Sequence, residues 1–131
     1  MSGLLYVALG GAIGASGRYV LGHALLKLMG PGYPWGTLVV NVLGGLLMGL
    51  LVGWLAFKGS ALVDGAANLR LFLGVGVLGG FTTFSAFSLD AMRMIETKAY
   101  GLAAGYISAS VVLSILALFI GLIIARKVFV L

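Results

Sequence analysis

Four stretches with almost no charge dominate this chain: Leu4 to Leu26, interrupted only by Arg18; Trp35 to Phe57; Leu71 to Leu89; and Ala99 to Ala125. A helix needs about 20 apolar residues to cross the hydrocarbon core of a bilayer. In lipid every backbone N–H and C=O must be paired within the chain, so spanning segments are helices or strands of a closed barrel. Barrel strands alternate polar and apolar over about ten residues. These runs are longer and do not alternate, which predicts an all-α membrane protein with helices at about 4–27, 35–57, 68–96 and 99–125. Only 8% of the 131 residues are charged, against about 25% in soluble domains. The expectation is a single four-helix unit over residues 1–131, with no room for a soluble domain. No basic segment precedes the first apolar run, so a cleaved signal peptide fits poorly.

Several function classes fall away. The chain has no cysteine, which excludes disulfides, thiol chemistry and thiolate metal sites. Its net charge of +5 comes from single basic residues at span ends; nucleic-acid binding needs a basic stripe, so no nucleic-acid partner is expected. Gly74-Val75-Gly76-Val77-Leu78-Gly79 matches the spacing of a dinucleotide loop. It lies inside a span, however, not after a strand, and the next acids, Asp90 and Glu96, sit at the span's far end, which is not the context such a loop requires. Asp64, Asp90 and Glu96 are the only acids and sit at or near span ends. There is no carboxylate pair for acid–base work and no His/Asp/Glu cluster with metal spacing; His23 stands alone. The chain is not expected to be an enzyme. Proton-coupled carriers use an ionisable relay in mid-membrane, and none is present, which leaves a passive pathway.

Charge at the span ends bears on orientation. One side receives Lys58, Arg70, Arg126 and Lys127, and the other Lys27, Arg93 and Lys98, with Arg18 a candidate fourth. Lys and Arg normally accumulate on the cytoplasmic side. A bias this small fits insertion in both orientations, and it equally fits an error of one or two residues at the span ends. Glycines recur at helical spacing: Gly10 with Gly14; Gly45 with Gly49 and Gly53; Gly76 with Gly80; Gly101 with Gly105. Small residues four apart let helices approach closely in lipid. So many such faces predict an oligomer, most simply a dimer.

The polar residues left in mid-membrane are neutral. Asn41 lies roughly 9 Å along its helix from Trp35 and offers two amide N–H donors; an interhelical hydrogen bond uses them equally well. Tyr106, Ser110 and Ser114, spaced i, i+4, i+8, form one stripe. Phe84 and Phe87 share a face three residues apart. Ring edges carry partial positive charge and suit an anion, although most such pairs are simply core. Thr82, Thr83, Ser85 and Ser88 add hydroxyls. Arg18 is the one formal charge well inside a span, a functional candidate as an anion attractor or a residue snorkelling to the interface. Donors, aromatic edges and an embedded cation, with no embedded acid, favour an anion over a cation. Gly79, Gly80 and Thr82 weaken the third helix, and carbonyls freed there are tolerated only where protein or an ion satisfies them.

Three stretches, Gly10 to Tyr19, Gly36 to Gly44 and Gly79 to Ser88, resemble in order the signature stretches of the Fluc (CrcB) fluoride channels. The resemblance covers essentially the whole chain. It implies an antiparallel, dual-topology homodimer in the cell membrane, with two pores that passively export fluoride and protect against its toxicity. It implies a broken third helix, with one structural sodium ion at the dimer centre held by the carbonyls of Gly79 and Thr82 from both subunits. By the same likeness the ion pathway comprises Asn41, Phe84, Phe87, Thr83, Ser85, Tyr106, Ser110 and Ser114, with Arg18 in a vestibule. Family members often carry threonine where this chain has Ala86. A small multidrug-type transporter would need a carboxylate in the first helix, which is absent. A purely structural membrane subunit would leave the polar stripe unexplained.

Overall fold

A computed structural model describes residues 2–58 and 65–130. Part of the loop expected from Lys58 to Asn68, including Asp64, lies outside the described residues. Among the described residues all regular secondary structure is helical, without strands. Four helical segments are long and apolar enough to cross a membrane: Ser2–Met29, Trp35–Lys58, Gly65–Glu96 and Tyr100–Phe129. The protein is therefore a multi-pass membrane protein. The first two spans are the helices α1 (Ser2–Met29) and α2 (Trp35–Lys58). The third is segmented into α3 (Gly65–Leu69), a π-helical stretch (Arg70–Leu78), a single turn α4 (Gly79–Phe81) and α5 (Phe84–Glu96). The last is α6 (Tyr100–Val130).

The turns follow from local chemistry. Gly30 adopts a positive φ of 81°, which costs little without a Cβ, and its N–H closes α1 on the Leu26 carbonyl at 2.9 Å. Pro31 and Pro34 stop the chain from resuming helix until Trp35. At the other short turn Thr97 ends α5, its hydroxyl donating to the carbonyls of Arg93 and Met94 at 3.0 and 3.1 Å.

Glycine sets how closely the helices pack. The Gly10 and Gly76 backbones touch: a Cβ on Gly76 would lie 2.8 Å from the Gly10 Cα, and one on Gly80 2.7 Å from the Gly11 carbonyl oxygen. Across the bundle a Cβ on Gly45 would lie 2.7 Å from the Ser114 carbonyl oxygen, and Cβ atoms on Gly49 and Gly53 would collide with Leu118 and Ala125 of α6. So α1 seats on the π-helical stretch and α2 on α6. Three of the four glycine rows are thus used within one chain. The fourth, Gly101 and Gly105, faces open space, and the case for an oligomer made from glycine density narrows to that row. Gly49→Val is expected to drive α2 from the α6 backbone and abolish monodisperse protein on size-exclusion chromatography; Gly105→Val should leave the single chain folded.

Buried Leu38, Phe87, Ala91, Met94, Ala103 and Tyr106 form a cluster where the start of α2, α5 and the start of α6 meet. Large apolar residues elsewhere face outward along all four spans, as lipid permits.

Candidate functional site

The third span stops being helical at Thr82 and Thr83, whose backbones are extended, with φ/ψ of −80°/157° and −151°/119°. The expected break is present, but it falls two residues beyond the glycine pair, which stays in the turn α4. Each backbone group around the break has a traceable fate. The N–H of Thr83, which in a continuing helix would bond the Gly79 carbonyl, turns to Asn41 Oδ1 at 2.8 Å. Asn41 Nδ2 in turn donates to the Thr83 carbonyl at 3.0 Å. One side-chain amide thus pairs with both polar groups of one backbone residue. The N–H of Ala86, which would bond the Thr82 carbonyl, takes the Thr83 hydroxyl oxygen at 3.1 Å, so Thr83 caps α5. The carbonyls of Gly79 and Thr82 both lose their helical donors in this way. The Gly80 carbonyl accepts from Arg18 Nε at 3.2 Å. Thr82 tucks its methyl group against Gly44 and donates its hydroxyl to the Leu78 carbonyl at 3.0 Å.

Below the break α2, α5 and α6 enclose a groove of about 460 Å³ whose walls include Asn41, Thr82, Thr83, Phe84, Phe87, Ser110 and Ser114. Its polar groups are all neutral. The hydroxyls of Ser110 and Ser114 are buried and have no hydrogen-bond partner. The rings of Phe84 and Phe87 lie 5.6 Å apart, tilted by 48°, but they differ in setting: Phe87 is buried in the core cluster, whereas Phe84 is 78% exposed. Asn41 spends one of its two N–H groups on the Thr83 carbonyl, leaving the second for the groove.

A second cavity, about 630 Å³, opens toward the loop that joins α1 and α2. Arg18, Asp90 and Arg93 are its charged lining residues. Buried Thr83 lines both cavities and marks where they meet.

Two residues expected on the pathway do not line the groove of the single chain. Tyr106 is fully buried and lines neither cavity; its hydroxyl donates to Asp90 Oδ2 at 3.2 Å. Its ring bridges Tyr33, edge-on at 5.6 Å, and Phe87 at 5.4 Å. The stripe through Ser110 and Ser114 therefore starts from a core residue. Ser85 is exposed and reaches the groove only through the Thr83 hydroxyl, 3.3 Å away. Asp90, assigned nothing from the sequence, joins the larger cavity. The signal for it was its spacing, three residues beyond Phe87 and three before Arg93, which places all three on one face of α5.

Residues 5–122 match the protein family described as CrcB-like protein, Camphor Resistance (CrcB). The chain belongs to the CrcB family. A CrcB relative in Caulobacter vibrioides, named fluoride-specific ion channel FluC, is 55% identical over 129 residues, covering 98% of this chain and 99% of its own. Proteins of the same name in Phenylobacterium zucineum and Agrobacterium fabrum are 56% and 51% identical over 129 residues, each with 98% of this chain covered and 99% and 100% of their own. All the motif residues of this CrcB chain, from Gly10 to Ser114, fall within the matched region.

Proposed function

We propose that this chain is the subunit of a fluoride-selective channel that carries the ion passively out of the cytoplasm across the cell membrane. The observation that carries the proposal is the pair of buried, unpartnered hydroxyls on Ser110 and Ser114, in a groove that also holds Asn41 and two phenylalanine rings. A buried hydroxyl without a partner costs about 1–3 kcal/mol, a cost that persists usefully only where a passing ligand supplies the missing acceptor. Fluoride is small and strongly hydrated, so a selective path must replace its water with closely spaced donors. Neutral donors in series bind well enough to admit the ion and weakly enough to release it. Relatives named for fluoride conduction support the choice of ion, and membership of this family disfavours the multidrug-transporter and structural-subunit readings.

The assembly in this reading is an antiparallel homodimer with two pores. Phe84 touches the Phe87 ring but stays 78% exposed beside the groove within one chain, and a second copy would cover it and close the groove. The nearly even distribution of basic residues between the two faces suits a protein inserted both ways. The carbonyls of Gly79 and Thr82, stripped of their helical donors, suit a small hard cation and would hold sodium between two subunits. That ion would supply a fixed positive charge at the dimer centre.

Purified protein in liposomes tests the function. Fluoride efflux without chloride efflux, and without a proton gradient, is the expected result on ion-selective electrodes; efflux of neither ion would refute it. Ser110→Ala and Ser114→Ala are each expected to slow fluoride efflux roughly fivefold, from about 1 kcal/mol of lost stabilisation per hydroxyl. Thermal stability should be unchanged or raised, since each substitution removes an unpaired buried hydroxyl. A fall in stability with flux intact would assign these serines to packing.

A further inference from the structure

We propose that Arg18 is a strut for the broken third span, a job separable from its charge. Its position inside α1 suggested an anion attractor or a side chain reaching for the interface. The structure shows a third use: Nε donates to the carbonyl of Gly80, 62 residues away in the turn just before the break. Gly80 needs such a donor. Its helical partner would be the N–H of Phe84, beyond the two extended residues that end the helix. In a membrane an abandoned carbonyl has no water to turn to. The neighbouring groups of the break are served from α2, by Asn41 on Thr83; among the described residues α1 contributes this one side-chain hydrogen bond to the break. A guanidinium suits the position because Nε makes a directional, charge-assisted bond while the remaining N–H groups stay in the larger cavity, which Arg18 also lines. The strut therefore fixes where the Gly79-to-Thr82 carbonyls point, and with them the start of the groove.

Side-chain geometry separates the two jobs. Glutamine places its Nε2 the same number of bonds from Cα as arginine places Nε, so Arg18→Gln keeps the donor and loses the charge. Arg18→Lys keeps the charge and puts a carbon at that atom. The inference deepens the channel reading, yet hydrogen–deuterium exchange tests it without any fluoride flux. With the full-length protein in detergent micelles, exchange at the amides of Thr82, Thr83 and Ala86 is expected to rise about tenfold in Arg18→Lys, the worth of a lost charge-assisted bond. It should rise only about threefold in Arg18→Gln, whose neutral donor keeps the bond and loses the charge assistance. In liposomes Arg18→Lys should lower the maximal fluoride flux with little change in the half-saturating concentration; Arg18→Gln should do the reverse, with a deficit that depends on ionic strength. Parent-like exchange in Arg18→Lys would overturn the proposal, as would equal disruption by both variants. Failure of the lysine variant alone to yield folded protein would support it, since the two differ in the donor. Absence of fluoride flux in the parent, with the exchange pattern as expected, would refute the channel and leave the strut standing.

Discussion

Replacing Phe84 with isoleucine is expected to cut fluoride flux by up to about tenfold while leaving the protein folded. The two halves of that outcome have different causes. Phe84 is the first residue of α5, directly after the break, and its ring is 78% exposed in the single chain. Its loss removes little from the core. Phe87, three residues on, is buried among Leu38, Met94 and Tyr106, so the same substitution there would confound packing with conduction. Phe84 forms part of the groove wall with the unpartnered serine hydroxyls. A ring edge offers an anion partial positive charge without a fixed cation that would trap it; edge contacts between aromatic rings, which use the same quadrupole, are worth about 0.5–1.5 kcal/mol. About 1.4 kcal/mol at the barrier is a tenfold change in rate. Isoleucine keeps the apolar bulk and lacks the edge. Liposome efflux, with size-exclusion elution and melting temperature as controls, reads the result; parent-like flux would remove Phe84 from the pathway.

Asn41→Ala should have the larger effect on stability. The amide makes two hydrogen bonds to Thr83, at 2.8 and 3.0 Å, and Thr83 is buried. Truncation leaves a backbone donor and a backbone acceptor unpaired, at about 1–3 kcal/mol each. A loss of about 2–6 kcal/mol follows from their sum, and with it the defined break and most of the flux. Asn41→Asp separates the two bonds. An ionised carboxylate still accepts from the Thr83 N–H, but it cannot donate to the carbonyl and places a negative charge against the ion's path. Its stability deficit should be smaller than that of alanine and its flux as low. If Asn41→Ala melts as the parent does, the bracing role is wrong. The two uses weighed for this residue from the sequence are thus compatible: one amide proton braces the break and the other faces the groove.

Much of this protein is legible in its sequence because lipid simplifies the problem. Charge-free runs of about 20 residues in a 131-residue chain leave little alternative to four spans. The neutral polar groups that line the groove could be listed from composition, whereas the placement of Asp90 beside Tyr106 and of Arg18 at the break could not. A break near the glycine–threonine stretch was also expected, since Gly79, Gly80 and Thr82 weaken a helix locally. The nine-residue π-helical stretch from Arg70 to Leu78 was not; nothing in the composition of an apolar run distinguishes a bond to i+5 from one to i+4. Tyr106 shows the limit of periodicity. It shares a helical stripe with Ser110 and Ser114, yet α5 covers it and Asp90 takes its hydroxyl, while the two serines look into the groove. Spacing tells which residues share a face and cannot tell what lies opposite each turn of it.

Span number and the neighbourhood of the break follow from local composition, because each depends on residues close together in the chain. How the break is held depends on partners 42 and 62 residues away, Asn41 on Thr83 and Arg18 on Gly80. Only the packed bundle brings these groups within 3.2 Å, through glycine contacts that let α1 and α2 close on the third span. Backbone groups released by the break cannot turn to water in a membrane. The tertiary structure supplies partners to Thr83 and Gly80, and in doing so it decides which polar residues are spent on the fold and which, such as Ser110 and Ser114, keep unpartnered hydroxyls.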